Sequence, residues 1–180
     1  VGANALYANT TGDYNTSIGY NSLTANTTAD ANTALGYKTL ENNVDGTSNV
    51  AVGAYALDAN TSADNNTAVG HAALGANTTG SNSTAVGSDA LLSNTTGVQN
   101  NAFGRQALDA NTTGNHNNAF GVNTLGANTT GGSNSGFGRG ALQSNTTASN
   151  NTAIGSLALN ANTTGTGNVA VGSEAFRDNT

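Results

Sequence analysis

The chain has no cysteine, proline, methionine or tryptophan, and only four basic residues among 180: Lys38, Arg105, Arg139 and Arg177. Each absence removes a class of explanation. With a net charge of −6, four scattered cations cannot assemble the basic patch that neutralises several phosphates, so nucleic acid is not an expected partner. No apolar run approaches 18 residues, so no membrane span is expected in this segment. Lack of cysteine fixes no redox compartment, but it suits a chain that works outside the cell without disulfides. Only 8% of residues are charged, and the large apolar residues are too evenly spread to gather into one compact centre.

What is present is polar and periodic. There are 31 Asn and 24 Gly, a bias that would suggest disorder if it lacked order. Glycine, however, recurs at Gly2, Gly19, Gly36, Gly53, Gly70, Gly87, Gly104, Gly121, Gly138, Gly155 and Gly172, always 17 residues apart. Numbering that glycine position 1, the consensus is G-x-x-A-L-x-A-N-T-T-G-x-x-N-T-A-V. Position 5 is Leu, or Phe176 in the last copy, and position 17 is always apolar. Position 11 is Gly or Ala, while positions 2, 3, 6, 12 and 13 vary and hold nearly all the charges.

A period of 17 rich in Gly, Asn and Thr is too short for helical repeats and would break helices at fixed points. It suits tight turns and short strands. The expected fold is all-β: a parallel β-solenoid of about ten and a half 17-residue coils, forming one repeat domain over 1–180 and excerpted from a longer chain. Strands are expected at positions 14–17 and about 4–10, with turns at 1–3 and 11–13. Coils stacked about 4.8 Å apart would make a rod roughly 50 Å long. Stacking puts like on like, which predicts a core containing Leu74, Leu91, Leu108, Val86, Phe103 and Phe120. It also predicts an amide ladder at position 8 through Asn9, Asn26, Asn43, Asn60, Asn77, Asn94, Asn111, Asn128, Asn145 and Asn162.

Neighbouring strand residues point to opposite faces. Position 16 is Ala in eight of ten copies, beside the apolar position 17. If position 17 fills the coil, the Ala column lies outside, and a strand apolar on both faces calls for a cover on both. Another copy of the chain is the simplest cover.

Segments such as Asn66-Thr67-Ala68-Val69-Gly70 and Asn151-Thr152-Ala153-Ile154-Gly155 resemble the Ser/Asn-x-Ala-Ile-Gly signature of trimeric autotransporter adhesin heads, and similar repeats occur in phage tail-fibre-like proteins. The resemblance recurs once per repeat. It implies a homotrimer and an extracellular, cell-surface or virion-fibre location, with an adhesive or fibre-forming role toward a host receptor or carbohydrate. Asn-Thr-Thr-Gly at positions 8–11 is not part of that signature and implies a wider coil.

Catalytic chemistry is sparse. His71 and His116 lie on variable turns of different coils without a fixed partner. Asp13, Asp30 and Asp64 share position 12, but Thr47 interrupts the column and no calcium-binding repeat is present, so neither metal nor cofactor is expected. Asn-x-Thr sequons, as at Asn77 and Asn111, are accounted for by the ladder without a glycan. All five tyrosines fall in the first third, and Tyr20, Tyr37, Lys38 and Tyr55 form the candidate binding cluster. The leading expectation is a non-catalytic structural or adhesive fibre segment. The alternative is an ice-binding solenoid using a regular Thr/Asn face, with one of the two Thr columns at positions 9 and 10 turned outward. A polysaccharide-cleaving solenoid is weaker, for want of any acidic cluster.

Overall fold

In a computed structural model, residues 1–179 are described as one stack of coils. Ten three-residue strands, from β1 (Thr16–Ile18) to β10 (Val169–Val171), recur one per coil and pair in sequence order into a single parallel sheet. The register is exact along the repeat, with Thr67 on Thr84, Ala68 on Ala85 and Val69 on Val86. The strands occupy positions 15–17, where Thr, Val, Asn or Ser precedes a small residue and an aliphatic or aromatic one follows, mostly β-branched or Phe. The Phe103, Phe120 and Phe137 rings lie within 8° of parallel at 4.8 and 4.9 Å, so successive coils turn little against each other.

The second expected strand, at positions 4–10, does not form. That stretch runs as successive turns, with left-handed residues at positions 3 and 5. Leu57, Leu74 and Leu91 have φ of 51°, 52° and 52°. The conformation costs about 1–2 kcal/mol per non-glycine residue. It also breaks the in–out alternation, so Ala73 and Leu74 are both buried, which two neighbouring strand residues could not be. Burial of each leucine contributes about 1.5–3 kcal/mol. Its N–H is also satisfied across the stack, Leu74 donating to the Ala90 carbonyl at 3.0 Å.

Orientation within the strand is the reverse of the expectation. Position 16 faces inward: Ala34, Ala68, Ala85 and Ala102 have no exposed surface. Position 17 faces outward, so Val86 and Phe120 are only half-buried and Phe103 is 36% exposed. These three are therefore not core residues, whereas Leu74, Leu91 and Leu108 are. The reason is volume. The position-5 leucines already fill a thin coil, leaving room on the strand side only for a methyl group.

Two asparagine columns are buried. At position 8, Asn94 Nδ2 donates to Asn77 Oδ1 of the preceding coil at 2.9 Å and to the Gly97 carbonyl of its own coil at 3.0 Å. Its Oδ1 accepts from Asn111 Nδ2 at 2.8 Å. The expected ladder thus exists and runs in one direction. A second column stands at position 14: Asn117 Nδ2 donates to the Gly131 carbonyl of the next coil at 2.8 Å, and its Oδ1 accepts the Asn134 N–H at 3.0 Å. Position 1 must be glycine. Gly104 has φ +138°, and a Cβ there would lie 2.5 Å from the Gly121 carbonyl oxygen.

Asn94→Leu is expected to destabilise the rod by about 1–3 kcal/mol, because it leaves Asn77 Oδ1, Asn111 Nδ2 and the Gly97 carbonyl short of a partner. Leu92→Asn, on the outer turn, is expected to be near neutral. Chemical denaturation checks both, and equal tolerance at the two sites would contradict the inward ladder. Gly104→Ala is expected to cost at least about 2 kcal/mol through strain and collision. A Cβ at Gly97 would also crowd the Gly114 carbonyl oxygen, at 2.5 Å, but Gly97 lacks the left-handed φ of Gly104 and Ala63 occupies the same position elsewhere, so Gly97→Ala should cost less than Gly104→Ala. The melting temperatures of the two variants test the contrast.

Candidate functional site: an aromatic ladder on the outer turn

The turn after each strand places positions 2 and 3 on the surface. Position 3 is left-handed throughout, as at Asn21, Lys38, Tyr55 and Asp89. Stacking at 17-residue intervals then aligns the side chains of neighbouring coils. Tyr20 and Tyr37 stack with ring centroids 5.6 Å apart and planes 11° apart. Position 2 of the next coil is Ala54, but Tyr55 at position 3 fills the gap and meets Tyr37 edge-on at 5.3 Å. His71 continues the row, edge-on to Tyr55 at 5.9 Å. Sequence and structure agree on bringing Tyr20, Tyr37, Lys38 and Tyr55 together. The row remains open to solvent, with the three tyrosines 48%, 42% and 38% exposed.

Charges border it. Lys38 Nζ lies 5.9 Å from the Tyr37 centroid and pairs with Glu41 at 3.1 Å. The hydrogen bond and charge of Glu41 hold the Lys38 ammonium above its ordinary pKa. His71 Nδ1 stands 3.6 Å from Asp89 Oδ1. Asp58 is half-buried beside this group, and burial, with Glu41 adding repulsion, raises its carboxyl above the usual range. The result is a row of aromatic faces edged by donors and acceptors, suited to sugar rings or aromatic and cationic side chains. His71 and Asp89 were not singled out from sequence for this cluster. The signal for His71 was available in the position-2 column, once Tyr55 is allowed to step in for Ala54, while Asp89 stands at position 3 of the following coil.

The other candidates are structural. Position-12 side chains tie coils together: Asp30 Oδ1 accepts the Asp13 N–H at 2.7 Å, and Asp64 Oδ1 accepts the Thr47 N–H at 2.7 Å. Among the described residues no cluster of three or more acidic, His or Cys side chains is placed to hold a metal. His116 sits alone on its turn at φ 60°. The sequon asparagines Asn77 and Asn111 are fully buried, so their amides are inaccessible in the folded rod. Positions 9 and 10 both reach the surface, not one of them, because this segment is a bend and does not alternate. The position-9 hydroxyls are engaged, Thr78 Oγ1 donating to the Thr95 carbonyl at 3.1 Å and Thr95 to Thr112 at 3.1 Å.

No family profile, curated protein or solved structure matches the chain. Among the described residues no helix is long and apolar enough to cross a membrane.

Partial desolvation in the row, reinforced by the neighbouring Tyr55 hydroxyl, holds the Tyr37 phenol above the usual tyrosine range. Tyr55→Phe keeps the ring and removes that hydroxyl. The Tyr37 phenol should then ionise at lower pH, closer to a free tyrosine, as followed by its ring carbon-13 shift. An unchanged titration would show that the two rings are not in contact.

Proposed function

We propose that this chain is a non-catalytic structural segment of an extracellular fibre at a cell or virion surface. In this proposal it packs along its length against two further copies of itself and presents its aromatic row to a receptor or carbohydrate. One observation carries the assembly: the outward column at position 17. Ile18, Leu35, Val69, Phe103, Phe137 and Ile154 are 36–45% exposed on one face of one sheet. They belong to an unbroken apolar column of ten coils, roughly 45 Å long at strand spacing. Isolated surface hydrophobics need no explanation, but a contiguous stripe of this length marks an interaction surface. An aqueous monomer would leave the three-phenylalanine stack in water. A cover of the same chain matches the stripe in length and chemistry.

The proposed contact lies at position 17, not at position 16, because position 17 is the outward column, and the reason for it is unchanged. Identical columns gathered around a three-fold axis give a closed ring, each copy meeting the next through the same pair of surfaces. The resemblance to adhesin heads, carried by the Asn-Thr-Ala-Val-Gly segments, supports three copies and an adhesive role.

Ice binding is a second reading, favoured by the other outward column of the same face. Thr16, Thr33, Thr67, Thr84 and Thr152 stand at position 15, and their hydroxyls make no hydrogen bond within the described residues, unlike those at position 9. Thermal hysteresis and crystal shaping test it. It requires the same face to be free in solution, so a homotrimer buried along position 17 excludes it.

Light scattering coupled to size exclusion should give a mass near three times 17.6 kDa for the natural chain. Phe103→Glu with Phe120→Glu should yield a monomer that keeps its β circular dichroism, since neither side chain enters the coil and facing carboxylates cannot be paired in a dry contact. A natural-chain mass near 17.6 kDa, or a double variant that stays assembled, would end the trimer proposal.

A further inference from the structure

The aromatic row has a second property besides its capacity to pack against a ligand: little else in the chain competes with it for an oxidant. Cysteine, methionine and tryptophan, the side chains that ordinarily yield electrons before tyrosine, are all absent. One-electron oxidation of this chain therefore settles on its five tyrosines, Tyr7, Tyr14, Tyr20, Tyr37 and Tyr55. Three of the five are in contact. Tyr37 is the middle one, with its ring centroid 5.6 Å from that of Tyr20 and 5.3 Å from that of Tyr55. The Tyr55 hydroxyl lies beside the Tyr37 phenol. Tyr7 and Tyr14 are far more exposed, but neither packs against another aromatic ring among the described residues.

The backbone keeps these three residues side by side. The Tyr20 carbonyl accepts the Lys38 N–H at 2.9 Å, and the Tyr37 carbonyl accepts the Tyr55 N–H at 2.9 Å. Neighbouring side chains therefore start one coil apart in every molecule, and two reactants held this way meet as if at very high concentration. The rings themselves are half open to solvent. A small oxidant can reach them, and they can turn about their side-chain bonds on the picosecond-to-nanosecond scale of exposed residues.

The chemistry follows from that placement. Each of two phenols gives an electron to the oxidant and its proton to water, leaving a phenoxyl radical with spin on the ring carbons beside the oxygen. Two such carbons on adjacent coils form one carbon–carbon bond. Each ring then loses the hydrogen of its bonded carbon as a proton, and each oxygen takes one back, so both phenols are restored. In sum the pair gives up two electrons and two protons, which one hydrogen peroxide accepts to become two waters. We propose that Tyr37 is a site of oxidative cross-linking, joined through a ring carbon to Tyr20 or Tyr55 by a peroxide-driven one-electron oxidant. The bond staples neighbouring coils of a stack that has no cysteine for a disulfide, and it is independent of the fibre reading.

Hydrogen peroxide with a haem peroxidase, applied to the natural chain at low micromolar concentration, tests this. Blue dityrosine fluorescence is expected in a species that still runs as a single chain of 17.6 kDa under denaturing conditions. Tandem mass spectrometry should place the link at Tyr37, with the joined pair two hydrogens lighter than its parts. Tryptic cleavage after Lys38 tells the two neighbours apart, because a link to Tyr55 holds the flanking fragments together and a link to Tyr20 lies within the first. Tyr37→Phe keeps the ring, removes the phenol and leaves Tyr20 and Tyr55 two coils apart, about 10 Å at strand spacing. It should lose the single-chain link while Tyr7 and Tyr14 remain oxidisable. Dityrosine found only in covalent multimers, oxidation that leaves Tyr37 unlinked, or a single-chain link that survives in Tyr37→Phe would overturn the proposal.

Discussion

No coil of this protein can satisfy its own buried polar groups. The position-8 amide reaches back to the coil before it, and the position-14 amide reaches forward to the coil after it. Each strand finds its ladder partners only in its neighbours. The 17-residue interval is therefore a geometric requirement on the inward-facing segments: one residue inserted there would set that coil's asparagine, glycine and leucine against the wrong partners. A net contribution of about 1 kcal/mol per hydrogen bond is small singly, but leaving a buried amide unpaired costs more than the bond is worth. Stability accumulates as a sum over neighbouring coils, without a central core.

The same requirement separates interior from exterior columns. Positions 1, 4, 5, 8, 11, 14 and 16 face the stack and admit one residue or a few small alternatives. Thr124 shows how tight this is, because its Cγ2 would lie 2.6 Å from a Cβ at position 16 of the same coil, where the chain carries Gly136. The outer columns carry no such obligation. Tyrosines at positions 2 and 3 and phenylalanines at 17 can each be placed at little cost to the rod. Recognition surfaces can thus be written on a scaffold whose inside stays constant.

Much of this was legible in the chain itself. Period, parallel solenoid, leucine column and asparagine ladder all follow from stacking identical residues, and so does the meeting of Tyr20, Tyr37, Lys38 and Tyr55. The side on which Val86, Phe103 and Phe120 lie was not legible. Alternation states that positions 16 and 17 oppose each other, not which of them is inside, and a large apolar residue argues for the interior until the leucines are seen to occupy it. The missing second strand hinged on leucines at positive φ, a conformation that nothing in a leucine announces. The second asparagine ladder was visible as a recurrent Asn at position 14 but was taken as part of a strand, where its amide would have had no reason to be buried.

The most direct test of coil-to-coil satisfaction is hydrogen exchange of the asparagine side-chain amides by NMR. The Nδ2 protons of Asn77, Asn94, Asn111 and Asn117 should exchange at least about a thousandfold more slowly than those of the exposed Asn82, with protection rising toward the middle of the stack. Ladder amides that exchange as fast as Asn82 would mean that these side chains face water and that the stack is held together by something else.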